Sequence, residues 1–219
     1  MECFIIVLLM WVFSVCLHEY GHAKVAQMGG DYTVEEKGYL TMNPIYYANP
    51  FMSFVLPMIF LMMGCLALPG GAVYINRGLL KSKKWDTAVS LAGPAMNLFL
   101  AIIIALALRL FFIPQYPYHI VTYAMAFVVQ LQISAILFNL IPIPPLDGFQ
   151  AIGPWLAPET EAAMASMGRY GMIIIFLVFR MIPGVNVLFW TVVDHLTLLL
   201  GIDPGMAVRG MYAFRSWLG

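Results

Sequence analysis

Two histidines four residues apart, with a glutamate between them, form the stretch HEYGH at 18–22, inside a run that opens FIIVLLMWVFSVCL and carries no charge before it. On a helix, positions i and i+4 share a face, so His18 and His22 can both reach one metal ion. Glu19 falls beside them, placed to take a proton from a water that the ion activates, which zinc does near neutral pH. Ionisable residues within a membrane span are costly and by default mark function. The bland alternative is a pair of packing histidines with Glu19 reaching for the interface. Three polar side chains in lipid without a task weigh against it.

Catalytic zinc usually has three protein ligands and one open position. Three places in the sequence offer a third donor. His119 stands at a predicted helix start between spans and is most simply an interfacial residue. Asp194 and His195 lie in an apolar block near the C-terminus, where a buried polar pair is as ready a reading as a ligand. Asp147 is the strongest candidate. It follows Pro142, Pro144 and Pro145, whose fixed φ and missing donors release the backbone from a helix. Non-helical backbone at membrane depth is tolerated only where it lines protein or water. Read alone, Asp147 could equally be an ordinary turn aspartate.

The elements that must position these residues are membrane helices. Of 219 residues, 62% are hydrophobic and 10% charged, against about 45–50% and about 25% in a soluble domain. Apolar blocks lie near 4–17, 51–68, 88–113, 120–141, 171–182 and 185–202, and a helical span needs about 20 such residues. The first helix is expected from residue 4 to Met28, closed by Gly29-Gly30. It lacks a basic n-region and a small-residue cleavage site, so it reads as retained. Residues 31–50 read as a loop or short hairpin. Pro57 and Gly64 interrupt the block at 51–68. Blocks 171–182 and 185–202 are short for full crossings and read as half-spans or one broken helix. Arg209, Arg215 and Trp217 suit an interfacial end. Eleven basic residues balance eleven acidic ones, which excludes the basic stripe of a nucleic-acid binder. Cys3, Cys16 and Cys65 form no disulfide framework or cysteine zinc site. The expected fold is an all-α polytopic membrane protein, a single domain over 1–219 with a core at 4–150 and helical segments at 171–219.

With HEYGH at 18–22, AGPAMN at 92–97 and NLIPIPPLDG at 139–148, in that order, the chain resembles the site-2 protease family of intramembrane zinc metalloproteases. The similarity extends over GYLTMNP and GGAVYIN and points to a compact subgroup without PDZ or CBS domains. The resemblance implies one zinc ion held by His18, His22 and Asp147, with Glu19 as catalytic base. It implies that Asn139 hydrogen-bonds the substrate or the developing oxyanion, and that Gly93, Pro94 and Asn97 lie on a helix packed against the site. It also implies a membrane-protein substrate and a prokaryotic inner membrane. In one place the chain departs from the pattern. Tyr47 and Asn49 stand where compact members often carry His and Asp, while the ligand set is intact.

Ligands to one ion must meet at about 2 Å from it. The end of the first helix and the end of the 119–141 helix therefore share a side of the bilayer, which a re-entrant 51–68 block allows. About five to six spanning or re-entrant segments result. Lys24, Lys37, Arg77, Lys81, Lys83, Lys84 and Arg169 then fall on the active-site side, which the positive-inside rule makes cytoplasmic. Gly70-Gly71 before AVYIN reads as a small β-hairpin or edge strand near the cleft, able to pair with an unwound substrate. The expected activity is endopeptidase cleavage within or beside a transmembrane segment. An intramembrane metal-ion transporter is the first alternative, but it calls for acids spread along a path, and the 88–113 and 119–141 spans carry none. A catalytically silent family member is the second.

Overall fold

The computed structural model describes residues 1–43 and 73–216. The 51–68 block, the Tyr47 and Asn49 positions, Gly70-Gly71 and Trp217 lie outside the described residues. The first helix, α1 (Glu2–Gly29), is followed by a short helical turn, α2 (Thr33–Glu36). After a 3-10 turn at Arg77–Leu79 comes α3 (Lys83–Ala107), which continues through a π-helical turn at Leu108–Phe112 to Gln115. Next are α4 (Ile120–Asn139) and the short α5 (Asp147–Ile152). The chain closes with α6 (Pro158–Ser166), α7 (Gly168–Met181), α8 (Pro183–Leu199) and α9 (Pro204–Arg215).

The helix ends follow local chemistry. Gly30 takes φ 118°, a left-handed conformation that closes α1. Its N–H donates to Gln27 O and that of Asp31 to Ala26 O, the paired bonds of a Schellman end. At the start of α3, Ser82 accepts from the Trp85 N–H, and at the start of α4 the His119 ring accepts from the Val121 N–H.

Among the described residues three helices, α1, α3 with its extension, and α4, are long and apolar enough to cross a membrane, and two bent pairs raise this to at most five. Helix α4 is the centre, packed by α1, α3, α8 and α9 and buried nearly all round. Helix α3 buries Val89, Gly93, Asn97, Leu100 and Ile104 against α1 and α4 and exposes Leu91, Leu98, Phe99, Ile102 and Ile103 on the other side. That outward face suits lipid.

The architecture is helical, as the composition requires. The expected β-hairpin or edge strand lies only partly within the described residues. Residues 73–76 are outside any helix, yet no strand ladder occurs among the described residues. Two side-chain carboxylates take amides of this segment instead, as described below. The end of the chain also becomes definite. Helices α8 and α9 are bent by 114° at their junction. Helix α9 lies across the starts of α1 and α4, where Phe214 stacks on Phe4 with centroids 5.3 Å apart and meets Phe127 at 6.0 Å.

Phe214 is fully buried in the main core. Phe214→Ala should therefore destabilise the chain by about 3 kcal/mol through lost packing and a residual cavity. Thermal unfolding in detergent would show this as a lowered Tm, with metal content unchanged because α9 packs at the opposite end of α1 from His18 and His22.

Candidate metal centre

One turn of α1 presents His18 and His22, both buried, toward the start of α3. Asp147 arrives from a separate part of the chain. Helix α4 ends at Asn139, and the Pro-rich turn 140–146 folds back so that Asp147 opens α5. His18 Nε2 lies 3.0 Å from His22 Nε2 and 3.2 Å from Asp147 Oδ2, and His22 Nε2 is 3.5 Å from Asp147 Oδ1. A tetrahedral zinc with ligands at about 2.0–2.1 Å would hold its donors about 3.3 Å apart. The separations match that geometry. Asp147 Oδ2 is buried and receives no hydrogen bond, as suits a carboxylate oxygen aimed at a cation. Among the described residues this is the one group of three His, Cys, Asp or Glu side chains able to hold a metal.

The backbone around the donors orients them. His22 Nδ1 is 2.7 Å from the Val89 carbonyl oxygen. A carbonyl can only accept, so Nδ1 carries the proton and Nε2 presents its lone pair to the centre. Gly93 sits one turn further along α3, and a Cβ built there would lie 2.3 Å from His22 Nε2 and 2.5 Å from His18 Nε2. Glycine at 93 is what lets α3 come this close to the donors. Pro94 withdraws the amide that would bond the Ser90 carbonyl.

Helix α5 is tied to α3 from outside the centre. The Arg77 guanidinium donates to the Asp86 carboxylate, to Gln150 Oε1 and to Ser90 Oγ. Gln150 Nε2 in turn donates to the Pro145 carbonyl at 3.0 Å, and Thr87 Oγ1 donates to the Ala151 carbonyl at 2.7 Å. These bonds fix the turn that delivers Asp147.

Glu19 is buried, and its Oε2 accepts from the Val73 N–H at 2.9 Å. Asn139 is buried at the last turn of α4 with Nδ2 unpartnered. The other donors considered from sequence lie elsewhere. His119 opens α4 at its far end, Asp194 accepts from Gln130 Nε2 at 2.8 Å, and the exposed His195 bonds the Thr191 carbonyl. The sequence places Arg77 on this side but does not show its tie between α3 and α5, nor the roles of the Val89 carbonyl and Asp31. An aspartate followed two residues later by threonine is a turn signal, and it could have drawn attention to Asp31. Nothing local marks Val89 or Arg77, whose partners are distant in sequence.

Filling the Gly93 gap tests the centre. Gly93→Ala should leave a folded protein whose zinc affinity is lowered by at least about tenfold, as for other residues that orient ligands. Metal analysis after purification at limiting zinc would read this directly.

Comparison with known proteins gives the same direction. A family model described as Peptidase family M50 matches residues 4–123. "Putative zinc metalloprotease Rip2" of Mycobacterium tuberculosis is 40% identical over 215 residues, covering 98% of this chain and 81% of the relative. Its counterpart in Mycolicibacterium smegmatis is 39% identical over the same extent. "Putative zinc metalloprotease YwhC" of Bacillus subtilis is 32% identical over 194 residues, covering 84% of this chain and 83% of the relative. No solved structure matches. With more than half its length under the family model and with relatives of this identity along nearly all of it, the chain belongs to peptidase family M50, the site-2 protease family.

Proposed function

We propose that this chain is an intramembrane zinc endopeptidase that hydrolyses a peptide bond within or beside a transmembrane segment of a membrane-protein substrate. The convergence of His18, His22 and Asp147 at zinc-like separations carries the reading. Zinc, when bound there, supplies a Lewis acid that activates water and polarises the scissile carbonyl. Glu19 takes the proton of the attacking water and passes it to the leaving amine. The Val73 N–H holds one Glu19 oxygen and so leaves the other for proton transfer. The unpartnered Asn139 amide donates to the substrate carbonyl as negative charge develops on it. His22 stays oriented through Val89. A substrate helix must unwind before its carbonyls are reachable, and the backbone at 73–76 is the edge along which the unwound chain would lie.

The domain is taken as one unit, set in a prokaryotic inner membrane with the metal centre toward the cytoplasm. Lys24, Lys37, Arg77, Lys81, Lys83 and Lys84 support this, since they gather where the end of α1 meets the start of α3. Two contacts mark that meeting. Lys81 N–H donates to the Gly29 carbonyl, and its Nζ donates to that of Met28. Arg209 reaches Tyr123 at the opposite end of the bundle. The excess of cations at the metal end matches the positive-inside rule.

Metal and activity should separate by residue. Glu19→Gln should retain zinc and lose proteolysis, whereas His22→Ala and Asp147→Ala should lose both. Asn139→Ala should retain zinc and thermal stability while activity falls on the order of 10²-fold. Zinc analysis of purified variants, with proteomics of membrane fractions comparing wild type and Glu19→Gln, measures both quantities and identifies substrates. Zinc-replete wild-type protein whose membrane proteome equals that of Glu19→Gln would overturn the protease reading.

Orientation has its own test. Single cysteines placed at Glu2 and Ser82, in a background lacking Cys3, Cys16 and Cys65, should label differently in intact cells with a membrane-impermeant thiol reagent. The Glu2 position should react and the Ser82 position should be spared. The reverse pattern would place the metal centre outside the cytoplasm.

A further inference from the structure

Asp31 is a fully buried carboxylate, 0% exposed, just beyond the glycine that ends α1. A carboxylate in such a place is tolerated only when donors satisfy it. Oδ1 accepts from the Thr33 N–H at 3.1 Å and from Thr33 Oγ1 at 2.6 Å, a local turn that needs one oxygen only. Oδ2 instead accepts from the Asn76 N–H at 2.7 Å, 45 positions away in sequence. Three residues before Asn76, the Val73 N–H donates to Glu19 Oε2. Beyond Asn76, the Asn76 carbonyl accepts from the Leu79 N–H at 3.0 Å, and the Lys81 N–H donates to Gly29 O at 2.9 Å. One short segment is thus held by two carboxylates, one at the metal centre and one at the end of the same helix. With only three residues from one amide to the next, neither bond can shift far without disturbing the other.

We infer that Asp31 is a positioning residue for the reaction: through the Asn76 amide it fixes residues 73–76 so that the Val73 amide holds Glu19 Oε2. The inference rests on the reading of Glu19 as the base. An aspartate that merely closed the turn after α1 would need only the bonds to Thr33. Both oxygens accept from N–H or O–H groups, so asparagine, with one acceptor, must turn an NH2 toward a donor on one side.

The test uses the full-length protein in detergent with zinc bound. Hydrogen–deuterium exchange of peptides covering 73–80 comes first, because it does not depend on activity. Asp31→Asn should speed exchange at both Asn76 and Val73, while zinc content stays at the wild-type level. On a substrate identified by the Glu19→Gln comparison, kcat should fall about 10- to 100-fold, as for residues that orient a catalytic shell, with KM unchanged. A Val73 amide as protected as in wild type, or a raised KM with wild-type kcat, would overturn the inference. Should Asp31→Asn fail to fold, Val73→Pro removes the donor to Glu19, fixing φ at 73 as well. It should lower kcat with zinc retained, and wild-type kcat in that variant would equally overturn the inference. Cleavage surviving in Glu19→Gln would remove Glu19 as the base and with it the catalytic half of the inference. The exchange of the two amides would still decide the mechanical half.

Discussion

Three donor side chains within 3.5 Å of one another, two from α1 and one from beyond α4, set the terms for the rest of this structure. Such a cluster cannot form unless the C-terminal ends of α1 and α4 lie at the same end of the bundle. It also requires a third helix that approaches closely enough to shield it without filling it, which explains a glycine at 93 facing both imidazoles. The turn after Asn139 must then leave helical geometry and return, and its prolines make helix continuation unfavourable there.

Polar groups elsewhere in the bundle obey the same economy. Ser14 donates to Gln132 Oε1 at 2.6 Å between α1 and α4, and Gln130 donates to Asp194 between α4 and α8. In an apolar medium these bonds hold helices that the hydrophobic effect cannot drive together. Beside the candidate centre Arg77 alone joins α3, α5 and the segment that precedes α3. Such ties suit proton transfer, in which small displacements of a base are costly.

Much of the candidate centre is legible in the sequence. The four-residue spacing of His18 and His22 puts both on one helix face, and the apolar run around them leaves little but a helix to form. Asp147 stood out among several possible donors because prolines precede it, and the resemblance carried by HEYGH, AGPAMN and NLIPIPPLDG narrowed the choice. The tail was less legible. Its apolar blocks fit half-spans or a broken helix, and only the packing of Phe214 on Phe4 and Phe127 fixes where α9 lies. Gly70-Gly71 before AVYIN suggest a strand edge, and of that stretch residues 73–76 are described. Its amides at 73 and 76 instead bond Glu19 and Asp31, because side-chain carboxylates compete with a ladder for the same donors.

The sequence by itself determined the class of the protein, its spanning helices, and which residue types could bind a metal and move a proton. These are properties of short range, written in periodicity, hydropathy and spacing within one element. Tertiary structure alone decided how donors 125 residues apart, His22 and Asp147, come within bonding reach of one point. It also decided which carbonyl orients His22 and which amide holds Glu19. The physical reason is that Val89 and Val73 act through backbone groups that every residue carries, so no residue type marks them until the chain has folded.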